Sequence, residues 1–134
     1  ALQGLQHAKG LFLLSTDDPG RTAHVLQVIE KTRESMSKQG VKPEIIVVFI
    51  GPTVAFLTRD HAGISYKDRR AVNAVDKLIG KLGDAGVRME ACGIALKGMA
   101  VKPEQLLPQV HAVGDGFISA IAYQAKGYHL VPVP

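Results

Sequence analysis

The sequence has little cysteine and no long apolar run. Cys92 is the single cysteine among 134 residues, so no disulfide can form within the chain. One unpaired thiol is typical of a reducing compartment, and we therefore expect a cytoplasmic protein, with a periplasmic location after removal of a signal peptide still open. The longest apolar run, residues 45–50, is far shorter than the roughly 20 residues of a membrane-spanning helix. We therefore expect no membrane span.

Aromatic residues are also scarce, which argues against nucleic-acid binding. The chain has no Trp, four Phe and three Tyr, and these do not alternate with basic residues as in surfaces that stack nucleic-acid bases. The formal net charge is +4, with basic residues spread along the chain and densest at Arg69 and Arg70. This distribution favours a solvated basic surface, and we expect no nucleic-acid partner.

The composition itself is that of an ordinary globular protein. Hydrophobic residues make up 46% and charged residues 21%, which excludes global disorder. A chain of this length fits one domain, and we expect residues 1–134 to form it.

Short apolar runs alternate with segments of helical periodicity. Strands are predicted at residues 11–15, 44–50, 87–92, 110–113 and 128–131. Helices are predicted at residues 19–39, 53–58, 71–82, 93–97 and 117–125, with residues 65–68 as a capping box before the third. Residues 117–125 have a predicted core face of Phe117, Ile118, Ile121, Ala122 and Ala125. Alternation of strands and helices predicts an α/β fold with a mostly parallel five-stranded sheet and helices on both faces.

In such sheets, ligands bind beyond the carboxyl ends of the strands. Cys92 lies at one of these ends, directly before a helix predicted to begin at Gly93. Backbone N–H groups at a helix start favour an anion, so they favour the nucleophilic thiolate, and Lys97 would add positive charge if it folded back. A free cysteine is equally well explained as a small apolar core residue. Position alone leaves both interpretations open.

Other residues at the same edge are weaker candidates. Asp17 and Asp18 follow the first strand, where a helix cap is favoured over a metal or acid–base pair. Gly51 follows the second strand and is better explained by a turn than by a phosphate cradle. His61 lies in a loop that could reach the edge, although a surface histidine is favoured. No histidine has metal-ligand spacing to another or to Cys92, so we expect no metal.

Residues 86–99, Gly-Val-Arg-Met-Glu-Ala-Cys-Gly-Ile-Ala-Leu-Lys-Gly-Met, resemble the cysteine segment of the DsrE/DsrF-like family. Residues 15–19, 49–52, 65–68 and 124–128 are also similar to segments of that family. The resemblance covers most of the chain and implies a three-layer α/β/α sandwich that assembles into homo- or hetero-oligomers. It further implies that Cys92 carries persulfide sulfur between partners.

The resemblance therefore implies a sulfur carrier or sulfurtransferase subunit. Its partners would be sulfur donor and acceptor proteins or low-molecular-weight persulfides, and it would need no cofactor. We expect a homo-oligomer with Cys92 near a subunit boundary. Two alternatives stay open: an oligomeric small-ligand-binding module without catalysis, in which Cys92 is a packing residue, and a thiol redox sensor. Exposure and reactivity of Cys92 distinguish the three.

Overall fold

A computed structural model describes residues 1–61 and 63–133 of the chain. Within them, five strands lie at His7–Leu14 (β1), Lys42–Phe49 (β2), Arg88–Cys92 (β3), Val110–Val113 (β4) and His129–Val131 (β5). The α-helices lie at Pro19–Lys38 (α1), Arg69–Asp84 (α2), Gly93–Gly98 (α3) and Gly116–Ala125 (α4). Short 3-10 helices lie at Gly51–Phe56, Tyr66–Asp68 and Pro103–Gln105. The predicted α/β fold is confirmed.

The strands form one sheet in the order β4-β3-β2-β1-β5, and each neighbouring pair is parallel. The first three crossovers therefore move in one direction across the sheet, whereas the last returns to the far side of β1. Crossovers between parallel strands are right-handed, so reversing direction also changes the face on which the connecting helix lies. This places α4 alone on the face opposite α1, α2 and α3, which gives three layers.

The hydrophobic core is divided unequally by the sheet. The larger part joins the sheet to α1, α2 and α3 through residues such as Leu26, Ile79 and Leu96. The smaller part lies under α4 and contains Leu11, Ile46, Val48 and Ala120. β2 supplies both parts because its side chains alternate between the faces, which is why residues 45–49 are apolar without interruption.

The predicted core face of the last helix is wrong. Phe117, Ile118 and Ile121 are 54%, 64% and 67% exposed, whereas the buried residues of α4 are Gly116 and Ala120. These two residues are four apart, so they share one side of the helix, and their small size lets α4 lie close to the sheet. The large apolar side chains consequently point outward.

The start of α2 also differs from the predicted capping box. The Ser65 side chain makes no capping hydrogen bond to the backbone, and its hydroxyl instead donates to the Asp68 carboxylate at 3.1 Å. A 3-10 turn at Tyr66–Asp68 precedes α2, which begins at Arg69. The short helix predicted at residues 53–58 is the 3-10 helix Gly51–Phe56, where Pro52 suits the first turn.

Candidate functional site

A small apolar cleft lies at the carboxyl edge of the sheet and includes Cys92 in its wall. Its volume is about 260 Å³. The loops after β1 and β2, the β3–α3 junction and the first turn of α4 meet there because the carboxyl ends of parallel strands share one edge. The cleft is lined by Ser15, Ile50, Gly51, Cys92, Ile94, Ala95 and Phe117.

Cys92 is the last residue of β3 and the N-cap of α3, in extended backbone conformation. It is a free cysteine and only 3% exposed. Its side chain makes no capping hydrogen bond to the first turn of α3, although we expected those N–H groups to face the sulfur. The thiol is therefore largely covered by its neighbours.

Two glycines allow the backbone to pack closely around Cys92. A Cβ at Gly93 would lie 2.5 Å from the carbonyl oxygen of Val113, so only glycine fits between α3 and the end of β4. A Cβ at Gly116 would lie 3.0 Å from the Cβ of Cys92 and 3.0 Å from Cγ1 of Val48. The absence of a side chain at Gly116 thus allows α4 to rest directly on the cysteine.

Gly51 shares the cleft with Cys92. Its φ of +59° lies in the left-handed region that favours glycine. A Cβ there would lie 2.8 Å from Oγ of Ser15, so glycine is also required by space. The two loops are further joined by Thr53, whose hydroxyl accepts from the Thr16 N–H at 2.6 Å and donates to the Thr16 carbonyl at 3.0 Å.

The remaining candidates do not line the cleft. Asp18 caps α1, since its Oδ1 accepts from the N–H of Gly20 at 3.0 Å, while Asp17 is exposed in the same loop. Lys97 is exposed in the last turn of α3. These three residues surround the edge without contributing to the wall of the site.

His61 is held against α2. Its Nε2 lies 2.7 Å from Oδ2 of Asp76, and its φ of 53° lies in the left-handed region. Burial raises the pKa of the Asp76 carboxyl, and the nearby His61 opposes that rise. The structure therefore brings His61 to Asp76 and not to the cleft.

A buried carboxylate, Glu90, lies two residues before Cys92 in β3. It was not identified from the sequence as a candidate site residue. Glu90 precedes Cys92 by two residues in β3, so both side chains point to the α4 face. Glu90 is 2% exposed, and its Oε2 accepts from Nε of Arg88 at 2.8 Å and from the Tyr123 hydroxyl at 2.6 Å. An acidic residue inside a buried apolar strand was the signal that could have indicated it.

The charge of Glu90 is stabilised by its donors. Burial alone would raise its pKa, but the hydrogen bonds from Tyr123 and Arg88 outweigh burial and hold the pKa below the usual glutamate value. The same arrangement raises the pKa of Tyr123, through its own burial and the neighbouring carboxylate. Glu90 is consequently ionised at neutral pH, and Tyr123 remains a hydrogen-bond donor.

The described part of the chain has neither a metal-ligand cluster nor a helix that could span a membrane. No three His, Cys, Asp or Glu side chains come together there as metal ligands. None of the helices in residues 1–61 and 63–133 combines the length and the apolar character needed to cross a lipid bilayer.

Comparisons with known proteins agree with this fold. The chain is similar to the protein MTH1491 of Methanobacterium thermoautotrophicum, described as of unknown function, with 25% identity, a TM-score of 0.70, and coverage of 94% of this chain and 99% of that one. It is also similar in fold to the ychN protein of E. coli, with 15% identity, a TM-score of 0.68 and the same coverage. A search among curated proteins gives no significant match.

The family comparison covers nearly the whole chain. The sequence pattern of the DsrE/DsrF-like family matches residues 9–133, which span every element of the sheet and all four α-helices. The match therefore includes the cleft and Cys92 in its wall. The chain belongs to the DsrE/DsrF-like family.

Proposed function

We propose that this protein is a sulfur carrier that relays persulfide sulfur through Cys92. The family to which the chain belongs is generally related to sulfur relay. The observation that carries the proposal is the position of the chain's only cysteine, at a strand end in the wall of a cleft. A single cysteine is sufficient for relay, whereas a dithiol oxidoreductase would need two.

The proposed transfer uses two exchange steps and no external oxidant. The Cys92 thiolate attacks the outer sulfur of a donor persulfide, which forms a new S–S bond and breaks the donor's S–S bond, releasing the donor as a thiolate. An acceptor thiolate then attacks the outer sulfur on Cys92. A new S–S bond forms between the acceptor and that sulfur, and the S–S bond to Cys92 breaks. Cys92 leaves as the thiolate and can accept sulfur again.

Access to Cys92 requires a partner that fits the cleft. The cleft walls are almost entirely apolar, and the exposed side chains of Ile94 and Phe117 border it. A donor or acceptor protein would place its thiol between them. Phe117 also belongs to the outward apolar face of α4, so a homo-oligomer formed through that face would have Cys92 near its subunit boundary.

The burial of Cys92 favours a second candidate function. A thiol that is 3% exposed also suits a packing residue, and the cleft would then hold a small apolar ligand without catalysis. In that case the thiol would be inert toward sulfur donors.

Intact mass spectrometry after incubation with polysulfide tests the proposal. The carrier function predicts the mass gain of one sulfur atom on the wild-type protein, reversed by a reducing thiol. Cys92→Ser should abolish the gain because a hydroxyl is a far poorer nucleophile at neutral pH, and the variant should keep its fold since no disulfide is lost. Cys92→Ala serves as the second control.

The other outcomes assign the alternatives. An unmodified wild-type protein that also resists alkylation would support the ligand-binding module. Oxidation of Cys92 by peroxide without sulfur loading would support a redox sensor. Sulfur retained on Cys92→Ser would exclude Cys92 as the carrier.

A further inference from the structure

The helix that covers Cys92 buries few side chains against the sheet. Among the described residues, the core beneath α4 contains four buried members, of which α4 supplies Ala120, and Tyr123 packs against it partly buried. The larger core beneath α1 and α2 has many more members. Apolar burial alone therefore holds α4 less firmly than it holds α1 and α2.

α4 contacts β3, the strand that carries Cys92, at both of its ends. In the first turn, Gly116 rests on Cys92 and Phe117 lines the cleft. In the last turn, the Tyr123 hydroxyl donates to Glu90 at 2.6 Å. α4 is thus attached to β3 at both ends, once over the thiol and once over the carboxylate two residues before it.

Glu90 is itself fixed in place. Nε of Arg88 donates to Oε2, the same oxygen that accepts from Tyr123. Oε1 is buried and has no hydrogen-bond partner among the described residues. Burying a carboxylate is costly, so the side chain remains where its charge is paired, and movement of Tyr123 away from it is opposed.

We propose that Glu90 is a positioning residue for Cys92: by holding Tyr123 it fixes α4, whose first turn covers the thiol. Opening of α4 at the Cys92 end then admits a reagent or a partner. The importance of Glu90 for sulfur transfer rests on the proposed carrier function. The effect of Glu90 on access to Cys92 does not depend on that function.

Tyr123→Phe tests this with the loss of one oxygen atom. We expect Cys92 to react with iodoacetamide about tenfold faster, the scale of losing one hydrogen bond to a charged group. Tyr128→Phe is the matched control, because Tyr128 packs edge-on against Tyr123 at 5.5 Å and its hydroxyl makes no hydrogen bond among the described residues. Its alkylation rate should equal that of the wild type.

Two further measurements separate positioning from general destabilisation. Amide hydrogen exchange should accelerate in α4 of Tyr123→Phe while α1 and α2 keep their protection, and the alkylation rate should not depend on low concentrations of denaturant. Glu90→Gln retains an oxygen that can accept from Tyr123, so its alkylation rate should fall between those of the wild type and Tyr123→Phe.

Equal alkylation rates in Tyr123→Phe and Tyr128→Phe would overturn the proposal. So would a faster rate accompanied by equally faster exchange in α1 and α2, since that pattern indicates global unfolding. If neither the wild type nor these variants accept sulfur from polysulfide, the carrier function fails. The comparison of alkylation rates still decides the role of Glu90.

Discussion

Glu90 shows how much one residue depends on its surroundings. The carboxylate is buried between the sheet and α4, where an unpaired charge would be strongly destabilising. Its donors Arg88 and Tyr123 come from β3 itself and from α4, 33 residues further along the chain. The residue therefore stabilises the fold only when both elements are in place. Because it does so as a charged carboxylate, its contribution to stability depends on pH.

We expect acid to destabilise the protein partly through Glu90. Its pKa is lower in the folded state than in the unfolded chain, so its stabilisation is complete above the ordinary glutamate pKa of about 4.3. The stabilisation is lost as the pH falls through the lower, folded value. Denaturant unfolding at several pH values should show this loss, and Glu90→Gln should show a shallower one.

Two other carboxylates with shifted pKa values define the background of that experiment. Glu30 also has a lowered pKa, chiefly through its hydrogen bonds from Arg33, so part of the acid sensitivity will remain in Glu90→Gln. Asp76 acts in the opposite direction because burial raises its pKa. An acid profile identical in Glu90→Gln and the wild type would contradict the role given to Glu90.

At the scale of an element, the packing of α3 requires glycine at its first residue but not at its last. Gly93 and Gly98 are the two ends of this six-residue helix. A Cβ at Gly93 would meet the carbonyl oxygens of Val113 and Gly114 at 2.5 and 2.9 Å, whereas one at Gly98 would have no atom within 4 Å. The two positions form a matched pair within one helix.

We expect Gly93→Ala to lower the free energy of unfolding by about 1–3 kcal/mol, because β4 or α3 must move to admit the methyl group. Gly98→Ala should be neutral or stabilising by up to about 1 kcal/mol, since alanine favours helix. Denaturant melts of both variants check this difference. Equal stabilities would mean that α3 does not pack against the end of β4 as described.

For the whole molecule, the outward apolar face of α4 is the feature that indicates an interaction with another subunit. Phe117, Ile118 and Ile121 are all more than half exposed, and a helix that is apolar on every side is normally buried. Exposed apolar surface of this kind marks interaction sites. We therefore predict that the protein is a homo-oligomer that covers this face.

Light scattering at micromolar concentration should detect the oligomer. Ile121→Lys should reduce the measured mass without unfolding the chain, because this side chain is exposed in the single subunit. Val28→Lys is the control, since Val28 is an exposed apolar residue on α1, on the other side of the sheet. A monomeric wild type, or dissociation by Val28→Lys alone, would refute this assembly.

Patterns within short segments were sufficient to predict most elements and the position of Cys92. The strand predicted at residues 44–50 is β2, which is paired on both sides. β4 lies at Val110–Val113, as predicted. Gly93 was correctly assigned to the start of a helix. These features depend on neighbouring residues, so the sequence contains them directly.

The orientation of α4, the partner of His61 and the surroundings of Cys92 were decided by the tertiary structure. Helical periodicity identifies a buried face only when a polar face contrasts with it, and α4 has almost no polar face. The contacts of Glu90 with Tyr123 and of His61 with Asp76 join separate elements. By itself, the sequence determined which segments become strands and helices and where the only cysteine stands. Strand order and crossover handedness then decided which face α4 covers, and hence what lies over Cys92.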